Sequence, residues 1–479
     1  MKRIAIVGGG ISGLAAAYEL EKSRLAGAEI DWQLYEASNR LGGIVETTRR
    51  DGFVLEGGPD GWVTEKPWAR ELAIELGLED QLIYSNDATR KTYIYLDGGL
   101  KPIPDRMRMM VPEDLATLED SPLFSSSARA AYADELQRAE ELRASVPVDD
   151  ESVASFVRRH FGDEVVSKIG APLLSGVFGG DVEKLSVRAV MPAFVAMEHE
   201  HGSLIAAVQS KVKARGDKPP QPIFTSLRNG LGSLIEAMIA RLPQERLLTN
   251  RTALSLKRER GLWCLRTSKG ASGKSKKHFH NVILATPADA TRTLLEPLEP
   301  AASALIPQDA SSAVLVAFAW PAESARTFTL PPGFGFLVPQ TTEAEPDEPR
   351  ILACTFVDQK FPERTPEGGR IVRVFSGGDS AESLATLTDE VIAGAALKQL
   401  EKILGVLPAP DATFTTVRRW PRSLPQYEVG HLERMAQLES LIAEVPNLTL
   451  LGNSYRGVGL PDLIRDARAA ARTLIASKR

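Results

Sequence analysis

Cysteine is nearly absent from this chain: Cys264 and Cys354 are the two thiols in 479 residues. They could pair with each other, but two isolated cysteines in so long a chain read as reduced thiols of a cytoplasmic protein. Histidine is scarce as well, at six residues, and no CxxC or HExxH spacing occurs, so no metal site is expected. No apolar run is long enough to cross a bilayer. Lys2 and Arg3 precede an apolar stretch, as in a secretory signal, but three glycines interrupt it and it reads as a strand. A surplus of basic charge is also missing. The formal net charge of -5 argues against a nucleic-acid partner. With 43% hydrophobic and 25% charged residues the composition is that of a globular protein, and the length calls for more than one lobe.

What the chain does have is glycine, concentrated where it carries meaning. The apolar stretch 2–7 runs into Gly8-Gly9-Gly10-Ile11-Ser12-Gly13, a helical pattern rich in alanine and leucine follows, and a second apolar run ends on Glu36. Strand, glycine turn, helix, strand and acid in this order make a dinucleotide-binding unit. Gly8 permits the turn, Gly10 lets the backbone approach a pyrophosphate, and Gly13 brings the helix close to the strand. The helix N-terminus then offers N–H groups to the phosphates. Glu36 is placed to accept ribose hydroxyls and to repel a 2′-phosphate. A second signal lies in Ala37-Ser38-Asn39-Arg40-Leu41-Gly42-Gly43-Ile44 and in Gly57-Gly58-Pro59-Asp60-Gly61. A nicotinamide dehydrogenase would continue with another helix, whereas here the backbone must return to the ligand. The two signals together resemble the two-part dinucleotide motif of the flavin-dependent amine oxidase superfamily, which implies FAD bound at full length.

The expected fold class is α/β, α+β overall, with a Rossmann-like FAD-binding domain, a mixed-sheet substrate lobe and a helical lobe. The expected division is 1–88, 223–300 and 426–479 for the FAD-binding domain, 89–215 for the helical lobe and 301–425 for the substrate domain. Helices are expected over 127–145, 152–161, 203–214, 224–242 and 463–476. A hairpin is expected over 247–267, and short strands over 282–287, 312–319, 351–358, 370–376 and 448–451. Residues 218–222 read as a linker, 269–277 as a solvated loop tip and 341–349 as a loop. Residues 105–111 mix basic side chains with methionines that look exposed, so a peripheral membrane contact stays open beside the plainer reading as a cap on an apolar pocket. The mixed charge pattern marks no interface and leaves the oligomeric state open.

Four further segments narrow the resemblance: Leu174-Ser175-Gly176-Val177-Phe178-Gly179-Gly180-Asp181 with Lys184-Leu185-Ser186, Ser226-Leu227-Arg228-Asn229-Gly230, Gly333-Phe334-Gly335-Phe336-Leu337-Val338-Pro339, and Gly452 to Asp462. In order and spacing they resemble the protoporphyrinogen and coproporphyrinogen oxidases of haem synthesis. That resemblance implies FAD contacts at Gly8, Gly9, Gly10, Ile11, Ser12, Gly13, Glu36, Ala37, Arg40, Gly43, Ile44, Gly58, Pro59, Asp60 and Gly61. It further implies them at Leu254, where the family commonly has a valine, and at Val458, Gly459 and Leu460. It places Gly176, Phe334, Gly335 and Leu337 around a porphyrinogen. The plant and animal protoporphyrinogen enzymes pair a substrate propionate with an arginine where this chain has Thr92; Arg90 and Lys91 stand just upstream. Coproporphyrinogen III, with four propionates, is therefore slightly favoured over protoporphyrinogen IX.

The implied chemistry is stepwise dehydrogenation, with electrons passing through the flavin to molecular oxygen and hydrogen peroxide formed. No His, Ser or Cys constellation stands out as an acid–base group, and none is assigned. Other oxidoreductases of the superfamily share the first sixty residues, and GDP-dissociation inhibitors use a related fold as a carrier without flavin. Glu36, the Arg40–Gly43 stretch and the glycine turn at 452–462 all argue for a retained cofactor.

Overall fold

Stretches far apart in the chain meet in one parallel sheet. In this computed structural model, which describes residues 1–216, 221–269, 273–340, 350–405 and 412–476, the strand order is Leu247–Leu248, Ile30–Tyr35, Lys2–Val7, Asn281–Leu284 and Leu448–Leu450. All neighbours run parallel. Ile4, Ala5, Ile6 and Val7 are buried, because both faces of the sheet are covered. One face packs against helices Ile11–Leu25 and Leu460–Ala476, where Ala15, Ala16 and Ala17 permit close approach. The other face packs against a three-stranded antiparallel sheet, Ala253–Glu259, Leu262–Lys269 and Gly273–Phe279, and against helices Ala288–Leu295 and His431–Ala443.

The second large sheet has seven strands, in the order Phe414–Pro425, Ala310–Trp320, Arg370–Gly377, Ala353–Phe356, Gly335–Leu337, Thr92–Leu96 and Gly99–Pro102. All pairings are antiparallel except that of Gly335–Leu337 with Thr92–Ile94. A helical layer with its own apolar core covers one side of this sheet. Leu337 from the sheet and Val458 from the C-terminal turn both pack into that core. The protein is thus a mixed α/β structure.

Several sequence expectations change in the structure. Residues 92–102, expected in the helical lobe, are edge strands of the seven-stranded sheet, because their hydrogen-bond partner Gly335–Leu337 lies over two hundred residues downstream. The expected helix over 224–242 starts only at Gly232; Phe224–Leu227 is a strand between Trp62–Val63 and Leu82–Tyr84. The helix over 127–145 breaks at Arg138 into Ser126–Gln137 and Ala139–Ala144. Ser152 and Ser203 cap the following helices rather than belonging to them, each accepting a hydrogen bond from an N–H three residues on. The basic run 269–277 is mostly strand, since Gly273–Phe279 pairs along Leu262–Lys269. In the stretch 105–111, Met110 and Val111 are buried in the helical core and Met107 and Met109 pack against it, as the plainer reading of this stretch as an apolar cap expects. Among the described residues no helix is long and apolar enough to cross a membrane. The expected loop 341–349, residues 218–220 of the linker and 270–272 of the loop tip lie outside the described residues.

The helical layer encloses one buried charged cluster. His160 has Nδ1 2.9 Å from Glu135 Oε1 and Nε2 3.1 Å from Glu198 Oε1. Glu135 also accepts from Ser203 Oγ at 2.6 Å and Leu204 N at 2.6 Å, while Arg159 bridges Glu198 and Glu151. Burial disfavours the imidazolium, but the two carboxylates outweigh it and raise the His160 pKa. The folded protein then holds this proton more tightly than the unfolded chain does. The resulting stability is complete below the ordinary histidine value of ~6.5 and disappears as pH rises through the raised one. Glu198 works in the opposite sense: burial is overcome by His160 and Arg159, its pKa is lowered, and its contribution is lost only as pH falls through that value. Melting temperature measured from neutral to alkaline pH is expected to fall more steeply in the wild type than in His160→Gln. Parallel profiles would remove His160 from this role.

Candidate active site

The glycine turn after the first strand is shaped by contact. A Cβ on Gly13 would lie 1.9 Å from the Gly8 carbonyl oxygen, so only glycine lets the helix enter so close to the strand. Gly10 is different: the nearest atom to a Cβ there is the Gly43 Cα, at 3.9 Å, which leaves an open approach to its backbone. No side chain caps the helix that starts at Ile11, and no acid lies in its first turn. A helix N-terminus left in this state fits the pyrophosphate of a dinucleotide. The second glycine motif is docked onto the first: Gly42 N donates to Gly9 O at 2.8 Å, and Gly42 bridges to Gly10.

Glu36 sits at the end of the second strand. Its carboxylate accepts from Gly9 N at 2.7 Å and Ser38 N at 2.8 Å, which fixes its orientation and leaves lone pairs for hydroxyl donors. Arg251 N and Asn250 N donate to the carbonyls of Glu36 and Ser38, each at 2.8 Å, which brings the chain just before Leu254 alongside this acid. Leu254 itself is 45% exposed. Ala37 is exposed and Ile44 half-buried. Arg40 donates to the Gly43 carbonyl and pairs with Glu46 at 3.0 Å; Arg418 holds Glu46 from the other side.

The third glycine segment hangs on a network of buried charges. Glu56 pairs with Arg364 at 2.8 Å, and also accepts from Thr47 Oγ1 at 2.6 Å and Leu231 N at 2.7 Å. Arg364 donates to Ser226 Oγ at 2.6 Å, and that hydroxyl donates to the Asp60 carbonyl at 2.6 Å. The Asp60 carboxylate meets Lys360 at 3.1 Å and Arg373 at 3.3 Å, and Arg373 also donates to the Gly58 carbonyl. Trp420 Nε1 donates to the Gly57 carbonyl at 2.7 Å. Burial opposes ionisation of Asp60, yet Lys360 and Arg373 prevail and hold its pKa down to about 2. Pro59 and Gly61 are carried between these anchors. Sequence reasoning missed Lys360, Arg364 and Arg373. One signal was available: Arg373 interrupts the apolar run from Ile371 to Phe375, and a charge at such a place needs a buried partner.

The C-terminal turn is bracketed in a similar way. Tyr427 donates to the Asn453 carbonyl at 2.6 Å and accepts from Gly457 N at 2.9 Å. His431 stacks on Tyr427 with ring centroids 3.9 Å apart, and its Nε2 lies 2.9 Å from the Tyr455 carbonyl. Asp462 fills the space beside Gly457 and Gly459 and pairs with Lys66 at 2.5 Å. Val458 projects to the helical core and Leu460 to the core of the central sheet. None of Tyr427, His431 and Lys66 was picked out from the sequence.

On the helical side, Gly176 faces Leu337: a Cβ there would be 3.7 Å from the leucine Cδ2. Gly335 adopts φ +139, and a Cβ would collide with the Cys354 carbonyl oxygen at 1.9 Å, so this position requires glycine. Phe334 is buried, and its N–H donates to the Lys91 carbonyl at 2.7 Å, while Gly335 pairs with Thr92. Arg90 and Lys91 are half-buried and carry no ion pair among the described residues. Gly176 and Leu337 thus face each other, with Phe334, Gly335 and the 90–92 stretch beside Leu337 in the sheet, and Val458 packs against the same helical core.

A family model described as flavin-containing amine oxidoreductase matches residues 11–475. The chain belongs to that family. It is 33% identical over 476 residues to the coproporphyrinogen III oxidase of Bacillus subtilis, covering 98% of this chain and 97% of that one. It is 30% identical over 484 residues to the chloroplastic protoporphyrinogen oxidase 1 of Arabidopsis thaliana, covering 97% and 86%. A crystal structure of a protein assigned as a protoporphyrinogen oxidase, from Exiguobacterium sp. 255-15, superposes with a TM-score of 0.84 at 32% identity, covering 100% of this chain and 99% of that one. The protein is an FAD-dependent oxidoreductase of the amine oxidoreductase family.

Removing Arg364 leaves a buried carboxylate without its cation. Arg364→Met is expected to destabilise the FAD-loaded protein by ~3–5 kcal/mol, read as a lower midpoint in denaturant. A loss below ~1 kcal/mol would mean that Thr47 and Leu231 N alone satisfy Glu56.

Proposed function

We propose that this protein oxidises a porphyrinogen to the porphyrin in haem biosynthesis, with coproporphyrinogen III preferred and molecular oxygen as acceptor, in the cytoplasm. The observation that carries the reading is the close approach of Gly176 to Leu337 where the helical layer meets the mixed sheet, on a helical core against which Val458 of the C-terminal turn also packs. Relatives that match the chain nearly end to end bear porphyrinogen oxidase names, which supports the substrate class. Both cysteines are free, in keeping with a reducing compartment.

In this reading Gly8 to Gly13, Glu36, Ala37, Arg40, Gly43, Ile44, Leu254, Gly58 to Gly61 and Val458 to Leu460 hold FAD. Bound FAD supplies the two-electron acceptor, and oxygen carries the electrons onward to hydrogen peroxide. The protein's own work is positioning. Gly176 leaves room for a flat macrocycle, and Phe334 and Leu337 supply apolar walls around it. Arg90 and Lys91, without an ion pair among the described residues, are available to propionates at the pocket edge; arginine offers a two-pronged contact and lysine a point charge. Three bases, Lys360, Arg364 and Arg373, face two carboxylates, Glu56 and Asp60, under the Gly57–Gly61 loop. That surplus of positive charge favours a partner that becomes more negative on reduction. Aromatisation of the product drives the remaining proton losses, and no side chain is assigned to them.

The direct test is porphyrin fluorescence in air with purified protein given coproporphyrinogen III and protoporphyrinogen IX in parallel. Faster oxidation of the first is expected. Preference for the second would reverse the substrate assignment, and a yellow protein inactive on both would overturn the reading. Gly176→Leu fills the space opposite Leu337, and is expected to raise KM at least ~tenfold with FAD content unchanged. An unchanged KM would take Gly176 out of the pocket wall.

A further inference from the structure

The three-stranded sheet behind the central one has a feature that the flavin site does not use. Its inner face carries Leu256, Trp263, Leu265 and Phe279 into the core. Its outer face carries the alternate residues, including Glu259, Cys264 and His278, one from each strand. Cys264 stands directly opposite His278 across the strand pair. The thiol sulfur, a carboxylate oxygen and a ring nitrogen of these residues all lie within 4.8 Å of one another. His278 Nε2 is 3.0 Å from Glu259 Oε2. Sequence spacing pointed away from any metal because these ligands come from three strands that only antiparallel pairing brings together.

We propose that Glu259, Cys264 and His278 bind a thiophilic divalent cation of the zinc type. Sulfur, imidazole nitrogen and carboxylate oxygen form a donor set suited to such an ion, with water at the fourth tetrahedral position. The backbone of a paired sheet holds the three side chains without further ordering, and a cavity of about 350 Å³ is lined by two of them, Glu259 and Cys264. Cys264 is only 1% exposed, whereas the side chains of Glu259 and His278 are each more than a third exposed and leave a path for the ion. Without metal, Lys276 pairs with Glu259 at 2.8 Å and His278 shares the same oxygen. Metal entry forms a sulfur–metal bond as the thiol proton leaves to solvent, and Lys276 swings off the carboxylate. Lys257, Arg266 and Lys274 also line the cavity. This basic wall repels any cation, so hard ions such as magnesium gain too little from one carboxylate. An ion that bonds to sulfur and nitrogen overcomes the repulsion.

Lys276 makes the proposal discriminating, because it competes with the metal directly. The FAD-loaded full-length protein, stripped of metal by a chelator, is titrated with Co²⁺ and read in the red, beyond flavin absorption, where tetrahedral cobalt absorbs. A saturating one-to-one signal is expected, displaced by Zn²⁺ and untouched by Mg²⁺. Cys264→Ser abolishes it, His278→Ala weakens binding at least ~tenfold, and Lys276→Met strengthens it. Circular dichroism and FAD content, unchanged in each variant, separate ligand loss from unfolding. The absence of a tetrahedral signal in the wild type overturns the proposal. So does an undiminished signal in Cys264→Ser, or weaker binding in Lys276→Met.

Discussion

The buried charges around Glu56 and Asp60 are the constraint on which the candidate site depends. The Gly57–Gly61 loop has little side-chain material of its own with which to pack. Its position is set by hydrogen bonds to its carbonyls from Arg373, Ser226 and Trp420, and by the carboxylates at 56 and 60. Arg373 and Trp420 belong to the mixed sheet and Ser226 to the strand Phe224–Leu227, so one network fixes the loop and joins two lobes. Charges this deeply buried stabilise a fold only when nearly every oxygen and N–H is paired. The network therefore tolerates one arrangement of the lobes and penalises any other. Specificity of docking, more than raw stability, is what it supplies.

The topology explains why such a clamp is needed. The parallel sheet draws on the beginning, middle and end of the chain, and the excursions between those parts fold as the helical layer and the mixed sheet. Glycine-rich turns follow the strands Lys2–Val7 and Leu448–Leu450, and such turns are where backbone can approach a flat or charged ligand. A site built from turns at the ends of separate strands inherits the rigidity of the sheet but not of any single segment. Cross-links between turns must do the rest. Gly42 N to Gly9 O, Lys66 to Asp462 and Tyr427 to the 453–457 turn are such links.

This division also accounts for what could be read from the sequence. The first glycine motif was legible because strand, turn, helix and acid are local, and each glycine answers to a neighbour within the same unit. The central parallel strands, the hairpin turn at Arg260-Gly261 and the C-terminal helix were legible for the same reason. The partners of Glu56 and Asp60 were not: Arg364 lies 308 residues from Glu56, and no period in the chain links them. Residues 224–227 carry a weak local pattern that tertiary pairing overrides, and Thr92–Leu96, strand-like in its own residues, is joined to the mixed sheet only by its remote partner Gly335–Leu337. The methionines of 105–111 left two readings open, because an apolar side chain beside a charge looks exposed until a helical layer is packed over it. The roles given to individual cofactor and substrate residues came from resemblance, and the geometry gives Gly13 and Gly335 a steric reason to be glycine.

The C-terminal turn shows how protonation and geometry are bound together in this fold. Its glycines at 452, 457 and 459 offer no side-chain packing, so the turn is held from behind by Tyr427 and, through Tyr455, by His431. Nε2 of His431 faces a carbonyl oxygen and must carry a proton, which leaves Nδ1 as the acceptor nitrogen. Nδ1 is buried without a partner among the described residues, so a second proton there would be an unpaired N–H in an apolar setting. Burial accordingly lowers the His431 pKa to about 4. The neutral ring can then stack face to face on Tyr427, and the tyrosine hydroxyl is left free to bridge Asn453 and Gly457. The same burial that keeps the imidazole uncharged keeps the stack in place. The turn therefore holds its shape across the pH range in which unperturbed histidines change charge.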